Sequence, residues 1–358
     1  MKLLFVTREP SNRGGHVVLT NLIRELKGQG ITLDFVGFKV EGEPDFPDCE
    51  HLFEGLGIRL VSVPKHGSDA EQMREYIDAA TAELRAIQGN YDKVVLDSWY
   101  SAAAGILAQA DPTKTVHFVQ SDPYFVPENE SVIWKSRFFE LLPYFPFKRI
   151  VVSREVQKLF KTRYGIEHPS LDLFIDNAYH TALFTVADHQ PLRLVMSSST
   201  FDMASKGLDF LLEQLSELAK RREFSLTLMS GKPTGRDFTG YSFPITETTA
   251  YSPQEAIALL QSHDLYVNTS VKETFGLALA EAITLGMPAI ALDSVGNREY
   301  AQGDNFVFVD DKAQFLPKLE ALFGVEARRA LHEKAKPSMA AYSLDTMVEK
   351  FKRIADIS

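Results

Sequence analysis

The sequence contains a single cysteine, Cys49, among 358 residues. One thiol cannot form an internal disulfide or a thiolate metal cluster. No stretch approaches the roughly 18 consecutive apolar residues that a membrane-spanning helix needs. The N-terminus, MKLLFVTREP, also lacks the apolar core and small-residue cleavage site of a signal peptide. We therefore expect a cytoplasmic protein, with peripheral contact at the inner face of a membrane as the alternative.

Positive charge is also scarce, because 38 Lys and Arg residues face 48 Asp and Glu residues, a net charge of −10. Nucleic-acid backbones require clustered Lys and Arg, so we expect no nucleic-acid partner. Apolar residues make up 45% of the chain and charged residues 24%, which is typical of an ordinary globular protein. The length favours about two domains.

Short apolar runs alternate with amphipathic stretches along both halves of the chain. The strand-like runs are Lys2–Thr7, Ile31–Phe38, Ile58–Val63, Lys93–Asp97, Thr115–Gln120 and Arg149–Ser153, then Leu192–Ser197, Ser225–Met229, Leu265–Asn268, Ala289–Leu292 and Phe306–Val309. This alternation predicts an α/β fold of two Rossmann-like, doubly wound domains facing a cleft. Ligands bind at the carboxyl ends of the strands in such sheets.

The periodicity lapses near Asn177–Pro191, between the two halves. We therefore predict one domain at residues 1–182 and a second at residues 190–342. A last helical pattern occupies residues 343–358, and we expect this helix to pack back on the first domain.

The most informative segment follows the strand Leu265–Asn268 and begins a helix predicted at Thr274–Leu285. Glu281 is the only charged side chain of that helix, which is apolar nearly all round and therefore buried. A buried carboxylate without partners costs several kcal/mol, so a hydrogen-bonding partner is expected. Helical spacing would place Glu281 about 12 Å beyond Glu273 along the axis, on broadly the same side. The backbone N–H groups of Thr274, Phe275 and Gly276 would form an anion site at the helix start.

An extended nucleotide-diphosphate-sugar matches this arrangement. Glu273 would contact the sugar, the helix start the diphosphate and Glu281 the two ribose hydroxyls. The alternative is that Glu281 pairs with a Lys or Arg of the protein, while Glu273 only complements the helix dipole. Both carboxylates together, in a βα turn of the second wound domain, favour the ligand.

The segment ETFGLALAE, with its Glu273-x7-Glu281 spacing, resembles the signature of retaining glycosyltransferases of family four, which have the two-domain GT-B architecture. The stretches EAITLGMPAIA and SVGNRE are similar to the family's following motifs. Ser205-Lys206-Gly207 resembles its Lys-Gly turn, and Gly14-Gly15 lies where the family has a glycine pair. The resemblance implies that Glu273 contacts the donor sugar, Glu281 the ribose and Lys206 the diphosphate.

The same resemblance implies a retaining hexosyltransferase whose donor is a nucleotide-diphosphate-sugar, with a UDP-sugar favoured and no metal or other cofactor required. The donor would lie in the C-terminal domain and the acceptor in the N-terminal domain. The acceptor would be a hydroxyl of a glycan, a lipid-linked or a protein-linked molecule, in cell-surface polysaccharide or glycoconjugate synthesis. A sugar-nucleotide epimerase and a catalytically silent, acceptor-binding partner subunit stay open as alternatives.

One departure from the family pattern concerns the basic residues that bind the diphosphate, which we call the diphosphate clamp. An Arg commonly precedes the family's Lys, but the stretch from Leu194 to Ser205 has no base. We expect either a weaker clamp or one completed by Arg236, Arg298 or Arg13.

Several further residues are secondary candidates. Gly14-Gly15 would form a backbone nest at the donor, or else a plain flexible turn. His117 is predicted at a strand end and resembles a family His beside the donor sugar; a structural role is the alternative. Asp97 would orient an acceptor hydroxyl or cap the following helix.

Two further stretches have both a functional and a structural interpretation. The aromatic and basic stretch Trp134–Arg149 suits either a membrane interface or core packing. Asp310-Asp311 is interpreted as a solvated pair rather than a metal site.

Overall fold

Two parallel six-stranded sheets, one in each half of the chain, form the framework of the protein. The computed structural model describes residues 1–7, 14–45, 49–120, 141, 144–201, 204–231, 233–249, 252–301 and 303–357. The chain divides into two compact units. Unit 1 comprises Met1–Leu173 and Asp345–Ser358, and unit 2 comprises Phe174–Leu344.

The strands are β1 (Lys2–Val6), β2 (Thr32–Val40), β3 (Ile58–Val63), β4 (Lys93–Leu96), β5 (Thr115–Val119), β6 (Lys148–Val151), β7 (Leu192–Ser198), β8 (Phe224–Ser230), β9 (Ile245–Thr248), β10 (Leu265–Asn268), β11 (Ala289–Leu292) and β12 (Val307–Val309). The described α-helices are α1 (Gly14–Gly28), α2 (Glu50–Phe53), α3 (Asp69–Ile87), α4 (Trp99–Leu107), α5 (Arg154–Tyr164), α6 (Asn177–Thr181), α7 (Leu208–Leu218), α8 (Pro253–Gln261), α9 (Leu277–Leu285), α10 (Phe315–Ala321), α11 (Val325–Ser338) and α12 (Leu344–Ala355).

In unit 1 the strand order is β3-β2-β1-β4-β5-β6, and every neighbouring pair is parallel. The central strands β1, β4 and β5 are buried on both faces, which explains why they are nearly continuous apolar runs. Helix α12 belongs to this unit, where Phe351 packs against Phe5 and Phe118 with ring centroids 6.5 and 6.0 Å apart. All six strands expected from the sequence are confirmed.

In unit 2 the order β12-β11-β10-β7-β8-β9 repeats the same topology with all pairs parallel. The five expected strands are confirmed, and the sequence analysis missed a sixth, β9. This strand lies at the sheet edge and its residues are half-buried or exposed, so it lacks the apolar run of a central strand. The predicted α/β fold of two Rossmann-like domains is therefore correct.

The boundary between the units differs from the predicted one. It falls between Leu173 and Phe174 rather than at residue 182, because the segment that follows bonds to unit 2. The Ile175 N–H donates to the Tyr342 carbonyl at 2.9 Å, and the Lys336 ammonium donates to the Ala182 carbonyl at 2.6 Å.

Candidate functional site

The strand order of unit 2 reverses between β7 and β10, and ligands bind at such switch points in open α/β sheets. The loops that follow these two strands are joined: the Val271 N–H donates to the Ser205 carbonyl at 2.9 Å, and the Thr269 hydroxyl donates to the Gly207 carbonyl at 2.9 Å. Gly207 has φ +72°, and a Cβ there would overlap the Thr269 carbonyl oxygen. Only glycine permits this close approach.

The joined loops bring Lys206 and Glu273 together. The Lys206 Nζ lies 2.7 Å from the Glu273 Oε1, and their side chains are 17% and 22% exposed. The pair is therefore partly desolvated but still reachable from solvent. The sequence analysis had assigned these two residues to the diphosphate and the sugar separately, and the structure places them in direct contact.

A second turn fixes the backbone of Glu273. Its N–H donates to the Ser294 carbonyl and its carbonyl accepts from the Gly296 N–H, both at 2.9 Å. Between these partners Val295 has φ +70°, which is a rare conformation for a β-branched residue. A Cβ on Gly296 would lie 2.5 Å from the Phe275 nitrogen. Backbone strain of this kind persists only where surrounding structure over-determines it, and it clusters at functional sites.

The helix that carries Glu281 begins later than the sequence suggested. Helix α9 starts at Leu277 rather than Thr274, because Gly276 takes the left-handed conformation at φ +87° and serves as the N-cap. Thr274 and Phe275 precede the helix, and the Phe275 side chain is buried, at 1% exposure. The predicted helical spacing between the two carboxylates is therefore wrong, since Glu273 lies in an extended segment bridged to Val295.

The corrected helix start changes which backbone groups are available to an anion. The first intrahelical donor of α9 is the Ala280 N–H, which bonds to the Gly276 carbonyl at 3.1 Å. The N–H groups without a partner inside the helix are consequently those of residues 277–279. The Gly276 carbonyl also accepts from the Tyr300 hydroxyl at 2.9 Å, which anchors the start of the helix.

Glu281 projects from α9, whose neighbouring side chains are buried. The pKa of Glu281 is raised to about 8, chiefly by burial and also by the charge of Asp176, while the nearby Tyr179 hydroxyl acts in the opposite direction. Within the described residues no Lys or Arg forms an ion pair with Glu281. The alternative of a protein cation as its partner is therefore not observed there.

The two carboxylates belong to one electrostatic neighbourhood. Burial raises the pKa of the Tyr266 hydroxyl, and the charges of Glu281 and Glu273 add to the effect. The buried Tyr300 hydroxyl responds in the same way to burial and to both carboxylates. The charges of Glu273 and Glu281 thus act on the same two buried tyrosines.

The bases considered for the diphosphate clamp have other partners where they are described. Arg236 pairs with Asp209, and the Arg298 Nε lies 2.9 Å from an Asp293 oxygen. Arg13 lies outside the described residues.

Unit 1 has a polar cluster at its own switch point, between β1 and β4. The Thr7 hydroxyl donates to the Asp97 Oδ2 at 2.6 Å, and the His16 Nε2 lies 2.9 Å from that hydroxyl and 4.0 Å from Asp97. Because Thr7 has one proton and gives it to the carboxylate, the His16 Nε2 must donate to Thr7. Asp97 does not cap the following helix, since Ser98 forms the capping box of α4.

Sequence analysis missed Thr7 and His16 as members of this cluster. The available signal was a polar residue directly after a buried strand and a histidine in the first turn of the next helix. Gly14 and Gly15 lie in that same first turn of α1, and their assignment to the donor stays a prediction. A Cβ on Gly15 would lie 2.9 Å from the Gln120 side chain, which follows β5.

His117 does not lie at a strand end. It occupies the middle of β5, paired with Leu96 and Arg149 on the neighbouring strands, and is 5% exposed. Burial lowers its pKa to about 3, with additional effects of Arg149 and His168. The side chain is neutral at ordinary pH, and its position supports the structural alternative over contact with a donor.

The stretch Trp134–Arg149 falls largely outside the described residues. Of its described part, Phe147 and Arg149 are buried in and beside β6, whereas Leu141 and Tyr144 are 56% and 60% exposed. In the described part of the chain, no helix has the length and apolar character to cross a membrane.

Asp311 accepts from the Ala313 N–H at 3.0 Å and so caps a short turn.

Two doubly wound units of identical topology, with polar side chains at both switch points, define a protein of the GT-B class. The family model described as Glycosyltransferase Family 4 matches residues 12–171, and the model described as Glycosyl transferases group 1 matches residues 192–324. The two matches together span most of the chain. The protein belongs to the family-four type of glycosyltransferases, which favours a transferase over the epimerase alternative.

Solved structures agree with this fold at low sequence identity. Sucrose-phosphate synthase from Thermosynechococcus elongatus superposes with a TM-score of 0.77 at 16% identity, covering 99% of this chain and 98% of that one. WaaG, a glycosyltransferase involved in lipopolysaccharide biosynthesis, gives 0.72 at 17% identity, with 100% and 99% covered. Anabaena HepE in complex with UDP and glucose gives 0.72 at 16%, with 99% and 98% covered. No curated protein sequence matches the chain significantly.

Proposed function

We propose that the protein is a retaining glycosyltransferase that moves a hexosyl group from a nucleotide-diphosphate-sugar to an acceptor hydroxyl. The observation that carries the proposal is the meeting of Lys206 and Glu273 at the switch point of unit 2, with Glu281 on the adjoining helix. A cation paired with one carboxylate, with a second carboxylate on the helix that follows, suits a ligand that joins an anionic diphosphate to hydroxyl-rich groups on either side.

In this proposal Lys206 and the backbone N–H groups at the start of α9 bind the diphosphate, without a metal ion. Glu273 accepts hydrogen bonds from the sugar hydroxyls, and Glu281 accepts them from the ribose. Preorganised donors of this kind stabilise negative charge as it develops on a leaving group. The occurrence of UDP in the HepE complexes supports UDP as the first nucleotide to test.

The transfer step breaks the bond between the anomeric carbon and the phosphate oxygen, and that bond's electron pair leaves with the nucleoside diphosphate. The acceptor oxygen forms its new bond to the anomeric carbon from the same face, and its proton passes to the departing phosphate. No protein base is then required. We assign acceptor binding to unit 1, where Asp97, Thr7 and His16 cluster at the strand ends.

We further propose that the acceptor is a hydroxyl of a glycan, lipid-linked or protein-linked molecule in cell-surface polysaccharide or glycoconjugate synthesis. The lipopolysaccharide role of WaaG supports this class of acceptor. Vesicle binding at the exposed Leu141 and Tyr144 would test the accompanying suggestion of peripheral membrane contact.

Two variants test the donor assignment. Glu273→Gln should lower turnover far more than nucleotide affinity, because its carboxylate is assigned to the sugar. Glu281→Ala should weaken nucleotide binding, whereas Glu213→Gln on the exposed face of α7 serves as the matched control. Hydrolysis of a panel of nucleotide-sugars would identify the donor, and the anomeric configuration of the product, measured by NMR, would test retention.

Full activity in both variants would disprove the assignment. An absence of thermal stabilisation by any nucleotide would instead favour the catalytically silent subunit, because a protein that binds nucleotide is stabilised by it.

A further inference from the structure

Tyr300, in the turn that follows β11, is a buried side chain bonded to the start of α9. The residue is 1% exposed, and its hydroxyl donates to the Gly276 carbonyl at 2.9 Å. Its ring packs against those of Phe275 and Tyr342, with centroids 5.3 and 6.4 Å away. Contacts at the ring and at the hydroxyl therefore fix the orientation of this phenol.

The turn that carries Tyr300 holds one short segment at both of its ends. At the first end, the Ser294 carbonyl and the Gly296 N–H bond to the backbone of Glu273, both at 2.9 Å. At the second end, Tyr300 bonds to Gly276, where a Cβ would lie 3.0 Å from the phenol oxygen. One turn therefore sets the spacing between the Glu273 backbone and the start of α9.

The Gly276 carbonyl and the Leu277 N–H belong to the same peptide group. A trans peptide group is planar, so its N–H points away from its carbonyl oxygen and turns only with it. The Gly276 oxygen accepts from the Ala280 N–H at 3.1 Å as well as from Tyr300. Because two donors on one oxygen resist rotation of the peptide plane, they fix the direction of the Leu277 N–H.

The same hydrogen bond makes the Leu277 N–H a better donor. Hydrogen bonds in a chain polarise one another, which strengthens each by about 10–30%. The Leu277 N–H has no acceptor within the helix, because it belongs to the first turn of α9. It is therefore a directed and polarised donor that a ligand anion can use.

We propose that Tyr300 is a positioning residue for the donor diphosphate, whose hydroxyl fixes and polarises the peptide group that presents the Leu277 N–H to a phosphate oxygen. The inference rests on the proposed function, in which Lys206 and the start of α9 bind the diphosphate. It adds a residue from outside the segment that carries Glu273 and Glu281.

The first test compares Tyr300→Phe with Tyr342→Phe by calorimetric titration with UDP, and with uridine in competition. Tyr342 is the matched control because it is also buried, and its hydroxyl also donates to a backbone carbonyl, that of Glu299, at 3.1 Å. Tyr300→Phe should weaken UDP binding about fivefold, the order expected from one hydrogen bond, and leave uridine binding unchanged. Tyr342→Phe should leave both affinities unchanged.

The second test observes the Leu277 N–H directly by NMR. Labelling glycine carbonyls with ¹³C and leucine amides with ¹⁵N selects the leucines that follow a glycine, which are Leu56, Leu208 and Leu277. Leu277→Ile identifies the Leu277 signal by removing it. UDP should move the Leu277 amide proton downfield by more than that of Leu56 in unit 1, because a hydrogen bond to phosphate deshields the proton. Tyr300→Phe should reduce this shift, and Tyr342→Phe should leave it as in the wild type.

The outcomes separate this inference from the proposed function. If Tyr300→Phe binds UDP as tightly as the wild type, or if Tyr342→Phe loses as much affinity, the inference is overturned. The proposed function then stands as long as Glu281→Ala weakens UDP binding. A Leu277 amide that UDP leaves unshifted in the wild type would also overturn the inference, so the test does not depend on the folding of Tyr300→Phe. If the wild type binds neither UDP nor any other nucleoside diphosphate, the proposed function itself fails.

Discussion

Replacing Glu281 by glutamine should stabilise the nucleotide-free protein, and the gain should grow with pH. Burial raises the pKa of Glu281 to about 8 from an ordinary 4.5. A carboxyl group with a higher pKa in the folded state ionises more readily once the chain unfolds. It therefore destabilises the folded protein as pH rises. Glutamine has no proton to lose in this pH range.

The magnitude follows from the difference between the two pKa values. The loss of folding stability caused by the Glu281 carboxyl group begins near its ordinary pKa of 4.5, grows with pH and levels off above about 8. With about 1.4 kcal/mol for each pKa unit, Glu281→Gln should gain roughly 1 kcal/mol at pH 5, roughly 3 at pH 7 and at most roughly 5 above pH 8. Because the side chain is partly exposed, solvent screening places the true gain at or below these values.

The assay is urea unfolding of the wild type and Glu281→Gln at pH 5, 7 and 8.5 without nucleotide. Glu213→Gln, on the exposed face of α7, controls for the loss of one negative charge. A stability difference that stays flat across this range, or that falls with pH, would refute the reasoning, since it would mean that Glu281 is well solvated in the folded protein. The same variant should bind UDP more weakly, so stability and binding change in opposite directions.

Three further changes test other parts of the structure. Gly296→Ala places a Cβ 2.5 Å from the Phe275 nitrogen, so thermal unfolding should show a loss of about 1–3 kcal/mol together with weaker UDP binding; unchanged UDP affinity would mean that this turn does not fix the site. Ser98→Ala removes the cap of α4 in unit 1 and should cost about 0.5–2 kcal/mol in urea unfolding without altering UDP affinity. Lys206→Gln should weaken UDP binding and reduce its dependence on salt concentration, whereas an unchanged salt dependence in titrations would exclude Lys206 as the diphosphate partner.

The sequence predicted the sheets well because buried parallel strands appear as continuous apolar runs. The exceptions have physical causes. Strand β9 is half-exposed at an edge, so it carries no such run. Helix α4, WYSAAAGIL, was expected after Asp97, but its cap is Ser98 rather than Asp97.

The candidate site was predictable only in part. Glu273, Glu281 and Lys206 were each identified from local pattern or resemblance. Their arrangement was not, because the Lys206–Glu273 contact joins residues 67 apart in sequence through a hydrogen bond between two loops. The helix start was misplaced because Gly276 adopts a left-handed conformation.

Glu273 and Glu281 differ in what compensates their removal from water, and this difference affects how a ligand binds. Glu273 is paired with Lys206, so an incoming diphosphate must share that ammonium with a carboxylate already in place. Glu281 forms no ion pair within the described residues, and its pKa is raised by burial instead. A ribose that donates two hydrogen bonds would stabilise the ionised form, so nucleotide binding should release a proton near neutral pH. The ligand would thus satisfy the carboxylate that the described part of the protein leaves without a cation.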